Sequence, residues 1–372
     1  MKPENILFIL VCSTSLLIGL ILPPAHDYAA YIKQWTIIHN GLDPYFKSGN
    51  AYGVAYNYFA YLNFSSFLHI PRVIFIATYL FASFLIWKLS KKQIGYTSNW
   101  ILTILIINPL FWIFSIKYGS NDSFLAGITM IAVLVYIRKY YYLTGILFAI
   151  GFCFKFTPIF IIPFFILSRK EINFKVLFSF ITGVLSIYGI GFLQWGNSIV
   201  EPFLFGERRV SKIFSIFRFI RGEVKPLKFI GVENLDEYSI YMTLICITLI
   251  FLTYLALNLD RYLSSLLSLS TTLLFYKVGH HQFYLLFMIF TVFTIVFKKE
   301  KNKPFLCSAL TLFSWIFFFT ILYDFTSRYK NGYSLIRTWI GLPTFLIHTI
   351  LNINLINVIY KNKKSANTVY SK

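Results

Sequence analysis

Apolar runs of about 17 to 25 residues, long enough to cross a bilayer as helices, recur along the whole chain and are separated by short clusters of Lys and Arg. The pattern predicts membrane helices over residues 5–22, 72–89, 100–116, 122–137, 172–193, 239–258, 261–277, 280–297, 305–323 and 338–359. Clusters at Lys88/Lys91/Lys92, Arg138/Lys139, Arg169/Lys170/Lys175, Lys298/Lys299/Lys301/Lys303 and Lys361/Lys363/Lys364 mark cytoplasmic ends. Spans drawn to obey them alternate in direction, with both termini inside. Residues 5–22 end in Pro23-Pro24-Ala25-His26 without a small-x-small cleavage site, so they are expected to be a first span and not a cleavable signal.

Two segments fall between points on the same side of the membrane. Residues 53–70 read as a short helix in the outer leaflet. Residues 143–168 read as two half-helices around Phe154-Lys155-Phe156-Thr157-Pro158, because Pro158 interrupts the backbone ladder and Lys155 needs a polar setting. Two ordinary short spans at these places are the alternative, for about ten to twelve spans in all. The expected fold is an all-α polytopic transmembrane helical bundle, one integral-membrane domain over residues 1–372, with no internal repeat and no linker.

Composition agrees with that class. Hydrophobic residues make up 57% of the chain, charged residues 13% and aromatics 20%. Cys12, Cys153, Cys246 and Cys307 all lie inside apolar runs, so they read as buried hydrophobes and not as a disulfide or metal framework. Neither a metal nor a cofactor is expected. The net charge of +20 is largely orientation, with membrane lipids as partners and no nucleic acid.

This topology leaves two substantial outer loops. The first, residues 23–71, carries Asp27, Trp35 and many Tyr. The second, residues 194–238, carries Arg208, Arg209, Lys212, Arg218, Arg221, Lys225 and Lys228 against the positive-inside tendency. Within it Arg209–Arg221 sets Val210, Ile213, Phe214, Phe217 and Ile220 at helical spacing, an expected amphipathic surface helix. Its positive charge calls for an anion, either lipid headgroups or a ligand phosphate.

Polar residues gather at four outer membrane edges: His26-Asp27, Lys117–Asp122, the Arg208/Arg209 region, and Lys277–Gln282. A carboxylate with Arg, Lys and His suits transfer of a group from a phosphate leaving group. The acid takes the proton of an attacking hydroxyl, and the cations stabilise charge on the departing phosphate. Nucleotide donors are not available outside the cell and the chain has no phosphate-cradling Gly-rich motif, so a lipid-linked phosphate is the expected supply. Each residue also has a plainer reading. Asp27 and Asp122 could be helix caps, Asp43 a turn residue in Gly41-Leu42-Asp43-Pro44-Tyr45, and Lys155 a snorkelling cation. His280 and His281, being adjacent, lack the spacing of a metal pair.

The order of these features resembles the polytopic GT-C glycosyltransferases, in particular the mannosyltransferases that include the catalytic subunit of GPI mannosyltransferase I and its prokaryotic relatives. Asp27-Tyr28 after the first span, Gly41–Tyr45, Tyr52–Pro71, Asn108-Pro109, Gly119-x-Asn121-Asp122, Gly145 through Lys155 to Pro163, and Lys277-Val278-x-His280-x-Gln282-Phe283 carry the resemblance. It departs at Tyr56-Asn57-Tyr58, where the family has Tyr-Pro-Pro, and in lacking Asp-x-Asp in the first loop. The resemblance implies a GT-C fold, a polyprenyl- or dolichyl-phosphate sugar donor, a glycan or glycolipid acceptor, and inversion at the sugar carbon. Asp27 would be the base; Arg208, Arg209, Lys277 and His280 would hold the donor phosphate; Asp122, Gln282, Lys155 and Asp43 would shape the substrate site. The expected location is the cell membrane with the site on the outer face. A lipid-linked glycan flippase or transporter is the rival, although Lys155 is the one clear midplane charge.

Overall fold

A computed structural model describes residues 3–46, 50–63, 68–94, 99–169, 171–208, 213–223, 232–327 and 339–370. Among them the regular structure is helical, apart from one isolated bridge between Leu167 and Ile172. In chain order the α-helices are α1 (Pro3–Ile21), α2 (His26–His39), α3 (Val54–Asn57), α4 (Ile70–Ile94), α5 (Asn99–Ile106), α6 (Asp122–Ile137), α7 (Tyr141–Phe154) and α8 (Ile162–Ile166). They continue as α9 (Phe174–Trp195), α10 (Glu201–Arg208), α11 (Ile216–Glu223), α12 (Ser239–Leu257), α13 (Arg261–Phe275), α14 (Tyr284–Lys298), α15 (Lys303–Ser327) and α16 (Gly341–Tyr370). The all-α polytopic bundle expected from the sequence is what is found.

Among the described residues seven helices are long and apolar enough to cross a membrane, or eight if the bent pair of α5 and the π-helix Leu110–Lys117 counts as one span. The ten spans drawn from the sequence also include α6 and α13, which are only 16 and 15 residues long, and the alternative of twelve adds α7, with 14 residues. The predicted span 100–116 is broken because Pro109 lacks a backbone N–H. Asn108 takes over at the 43° bend, accepting from the Phe111 N–H at 2.8 Å and donating to the Leu105 carbonyl at 2.7 Å.

The chain forms two compact units, residues 1–159 with 173–208, and residues 160–172 with 209–372. In the first, α4 lies against α6, and α7 against α6 and α9. Asn173 caps α9 by accepting from the Val176 N–H at 3.2 Å. Helix α2 buries Tyr28, Tyr31, Trp35 and Ile38, one stripe at helical spacing, into a cluster with Tyr56, Phe75, Phe124, Leu125 and Phe154. The residues just after α2 turn back through an Asx turn, in which Asp43 Oδ1 accepts from the Tyr45 N–H at 2.9 Å.

The second unit has a polar inner track. Helix α13 buries Ser264, Ser265, Ser268, Ser270, Thr271 and Thr272. Asp260 caps it, accepting from the Tyr262 and Leu263 N–H groups at 3.1 and 3.0 Å, and pairs with Lys298 at 2.5 Å. In the basic loop the helix occupies Ile216–Glu223, shorter than the Arg209–Arg221 helix expected from spacing; Arg209 through Lys212 lie outside the described residues. Ile213 and Phe214 precede it in a turn, buried, and the Phe214 N–H donates to the Gly279 carbonyl at 3.0 Å. Arg221 pairs with Asp236 at 3.2 Å.

Candidate functional site

The first unit brings together two of the predicted acids. Asp27 lies in the first turn of α2, one residue inside the helix start; the cap position is Ala25, so Asp27 is not the cap. A carboxylate in the first turn lies close to the helix's unpaired N–H groups and its positive dipole end. Tyr31, one turn further, is fully buried. Burial holds its hydroxyl pKa well above the usual value, and Tyr52, Asp27, Tyr56 and Asp122 push it the same way. Tyr56 is raised too, by burial first, then by Tyr52 and Asp27. Asp27 and Asp122 therefore act electrostatically on one aromatic cluster.

Two hydroxyls of that cluster face each other. Tyr31 and Tyr52 lie 3.1 Å apart at their oxygens, and Tyr56 donates to Gln34 Oε1 at 2.9 Å. Tyr52 and Tyr56 are 4.4 Å apart between ring centroids, and Trp35 lies 5.5 Å from Tyr56.

Asp122 and Lys155 meet directly. Lys155 Nζ is 2.5 Å from Asp122 Oδ1, and Ser120 Oγ donates to Asp122 Oδ2 at 2.8 Å. Helix α6 starts at Asp122 with Asn121 at the cap position, and no side-chain cap bond forms there, so Asp122 turns to Lys155 instead of capping. Lys155 is presented by the end of α7, where its own backbone is extended (φ −158°, ψ 134°). The break expected at Phe154–Pro158 is thus present: α7 stops at Phe154, and a 3₁₀ turn runs over Thr157–Phe160. Lys155 Nζ also lies 5.8 Å from the Tyr52 ring centroid, which links the ion pair to the tyrosine cluster.

Gly53 allows this end of α7 to be approached so closely. Its N–H donates to the Phe154 carbonyl at 3.1 Å, and a Cβ at that position would sit 2.1 Å from the Cys153 carbonyl oxygen. Any side chain here would collide with backbone.

The remaining predicted residues are dispersed. Asp43 is occupied in its turn. Arg208 ends α10; its side chain, and Arg209 altogether, lie outside the described residues. In the second unit Lys277 is buried and its N–H donates to Ser239 Oγ at 3.0 Å. His280 precedes a 3₁₀ turn over His281–Phe283 that includes Gln282, with the His280 and Phe283 rings 6.5 Å apart. His281 bonds through Nδ1 to Thr320 Oγ1 at 3.0 Å. The adjacent histidines have separate surroundings, and no group of three His, Cys, Asp or Glu that could hold a metal occurs among the described residues.

Sequence reasoning placed Tyr31 among the first-loop aromatics suited to sugar rings and Ser120 in the Lys117–Asp122 polar stretch, gave neither a role of its own, and did not single out Arg72. Tyr31 stands at the i, i+4 position from Asp27, and that spacing was the available signal. Ser120 stands two residues from Asp122, in the same motif. Arg72, at the head of a long apolar run, reads in one dimension as a flanking charge.

Residues 55–218 match the family model of glycosyltransferase family 87. The matched stretch contains Asp122, Lys155, Arg208 and Arg209; Asp27, Asp43, Lys277, His280 and Gln282 fall outside it. No curated protein matches the chain. The family match supports a membrane glycosyltransferase.

Proposed function

We propose that this protein is an integral-membrane, inverting glycosyltransferase. It moves a hexose, with mannose the sugar the motifs favour, from a polyprenyl- or dolichyl-phosphate donor to a glycan or lipid-linked acceptor at the outer membrane face. The observation that carries the reading is the match of residues 55–218 to a glycosyltransferase family, over a stretch that includes the Asp122–Lys155 pair.

Asp27 is the proposed general base. It takes the proton of the acceptor hydroxyl as that oxygen attacks the anomeric carbon, while the bond from this carbon to the donor phosphate oxygen breaks. The phosphate leaves with the bonding electron pair. Arg208 and Arg209, helped by Lys277 and His280, are proposed to neutralise it; their positive charge and position in the motif order support that role. Asp122, Lys155, Gln282 and Asp43 are proposed to shape the sugar and acceptor sites. The half-buried position of Asp27 beside a wall of tyrosines supports its role, since aromatic faces suit sugar rings.

Membranes or purified protein supplied with labelled polyprenyl-phosphate-hexose and an acceptor glycolipid extract test the reading. Asp27→Asn is expected to lower transfer by about 10²–10⁴-fold, the usual contribution of a positioned base. Full transfer by that variant removes Asp27 from the mechanism; no transfer by the wild type with any lipid-linked hexose removes the enzyme reading.

A further inference from the structure

Arg72 is fully buried at the head of α4, and its guanidinium is spent on backbone carbonyls. Nη1 donates to the Leu22 carbonyl at 2.9 Å, just past the end of α1. Nη2 donates to the Ile116 carbonyl and, at 2.7 Å, to that of Lys117, the last residues of the π-helix. These are carbonyls that a helix end leaves without an intrahelical partner, and a cation is the favoured group there. One side chain thus joins the ends of two helices to the start of a third.

The same guanidinium sits 5.5 Å from the centroid of the Tyr28 ring. Tyr28 is seated on every side. The Tyr28 N–H donates to the Tyr118 carbonyl at 3.2 Å, its hydroxyl donates to the Leu68 carbonyl at 2.5 Å, and His69 stacks on the ring at 6.1 Å. Gly119 closes the remaining side. Its φ is +66°, and a Cβ there would lie 2.7 Å from the Tyr28 Cβ. Tyr28 is the residue next to Asp27, so whatever fixes Tyr28 fixes the first turn of α2.

We infer that Arg72 is a positioning residue for Asp27: by tying Leu22, Ile116 and Lys117 together beneath the Tyr28 ring, it holds the carboxylate where transfer requires it. The inference rests on Asp27 being the base of the proposed reaction. A planar guanidinium serves several carbonyls and an aromatic face at once. An ammonium on a flexible stem does not, so lysine substitutes poorly. A displacement of about 1 Å at the reacting groups costs about 10²-fold in rate.

The test is transfer by full-length protein in membranes for Arg72→Gln, Arg72→Lys, Asp27→Asn and the double variant Asp27→Asn/Arg72→Gln, with monodispersity checked for each. Expected are a kcat for Arg72→Gln lower by about 10²-fold with donor KM nearly unchanged, partial recovery in Arg72→Lys, and no further loss when Arg72→Gln is added to Asp27→Asn. A purely structural Arg72 would lower the residual activity of the Asp27→Asn background by the same factor as the wild type, and that outcome overturns the proposal. If Arg72→Gln does not fold, Gly119→Ala moves Tyr28 from the opposite side; its loss must likewise vanish in the Asp27→Asn background. Wild-type transfer by Arg72→Gln beside an impaired Asp27→Asn overturns the positioning role alone. Wild-type transfer by Asp27→Asn overturns the base assignment and this inference with it.

Discussion

Replacing Lys155 by Met keeps the side-chain length and removes the charge, which leaves the Asp122 carboxylate buried beside Ser120 alone. The Asp122 side chain is 5% exposed and that of Lys155 15%, so water compensates little. At 2.5 Å the gross attraction is about 6–7 kcal/mol at an effective dielectric of about 20. Most of it offsets the cost of burying two charges. Removing one partner strands the other, and the measured cost of doing so in other buried pairs is about 3–5 kcal/mol. Removing both charges spares that penalty, so Asp122→Asn/Lys155→Met is expected to recover at least about half of the loss in stability.

Thermal unfolding in detergent, followed by the monodisperse fraction on size exclusion, measures this. For a unit of 150–250 residues about 1 kcal/mol shifts the midpoint by roughly 2–4 °C, so a loss of about 3–5 kcal/mol in Lys155→Met is expected to lower it by about 6–20 °C. A Lys155→Met midpoint within about 1 °C of wild type, or a double variant no better than the single, would refute the buried-pair reasoning. Transfer measured on the same variants separates roles: if the recovered double variant stays inactive, the charges serve substrate as well as the fold.

Arg208→Ala/Arg209→Ala is expected to raise the donor KM and lower transfer at least about tenfold, with an effect that shrinks for lower-charge donors; unchanged kinetics would end the phosphate role without ending the enzyme. His69 gives a pH effect. Burial and then the nearby Arg72 hold its pKa below the usual value near 6.5. The neutral ring is what the fold keeps, so its contribution is intact above that value and is lost as pH falls through the lower folded value. Thermal midpoints should therefore fall more steeply below about pH 6.5 in wild type than in His69→Phe, and parallel curves would contradict this.

The chain's own pattern carries the fold far. Periods of apolar residues locate nearly every long helix to within a few positions, and Pro109 and Pro158 signal the breaks at Asn108 and Lys155 because a missing N–H is a local fact. Which acid meets which cation is not local. Asp122 and Lys155 are far apart in sequence, and each alone admits a cap or a snorkelling reading; their pairing follows from the packing of α6 against α7. Arg72 shows the same limit more sharply. Its partners are main-chain carbonyls, which have no sequence signature, so its burial could not be read from the residue type. Helical spacing of the apolar residues also overstates the helix just before Ile216, because Ile213 and Phe214 are buried in a turn that precedes α11.

The two acids of the tyrosine cluster sit in different settings, and that difference bears on the roles proposed for them. Both oxygens of Asp122 face protein partners, Lys155 on one side and Ser120 on the other, so its geometry suits holding the end of α7 and the Tyr52 face in place. Asp27 sits half-buried in a helix's first turn, with its neighbour Tyr28 clamped from all sides by Arg72, His69, Gly119 and the Leu68 carbonyl. A base that must meet an incoming hydroxyl needs a fixed backbone and an approachable carboxylate together. The proposal for Asp27 rests on the fixed backbone of its helix turn and on its half-buried position beside the tyrosines.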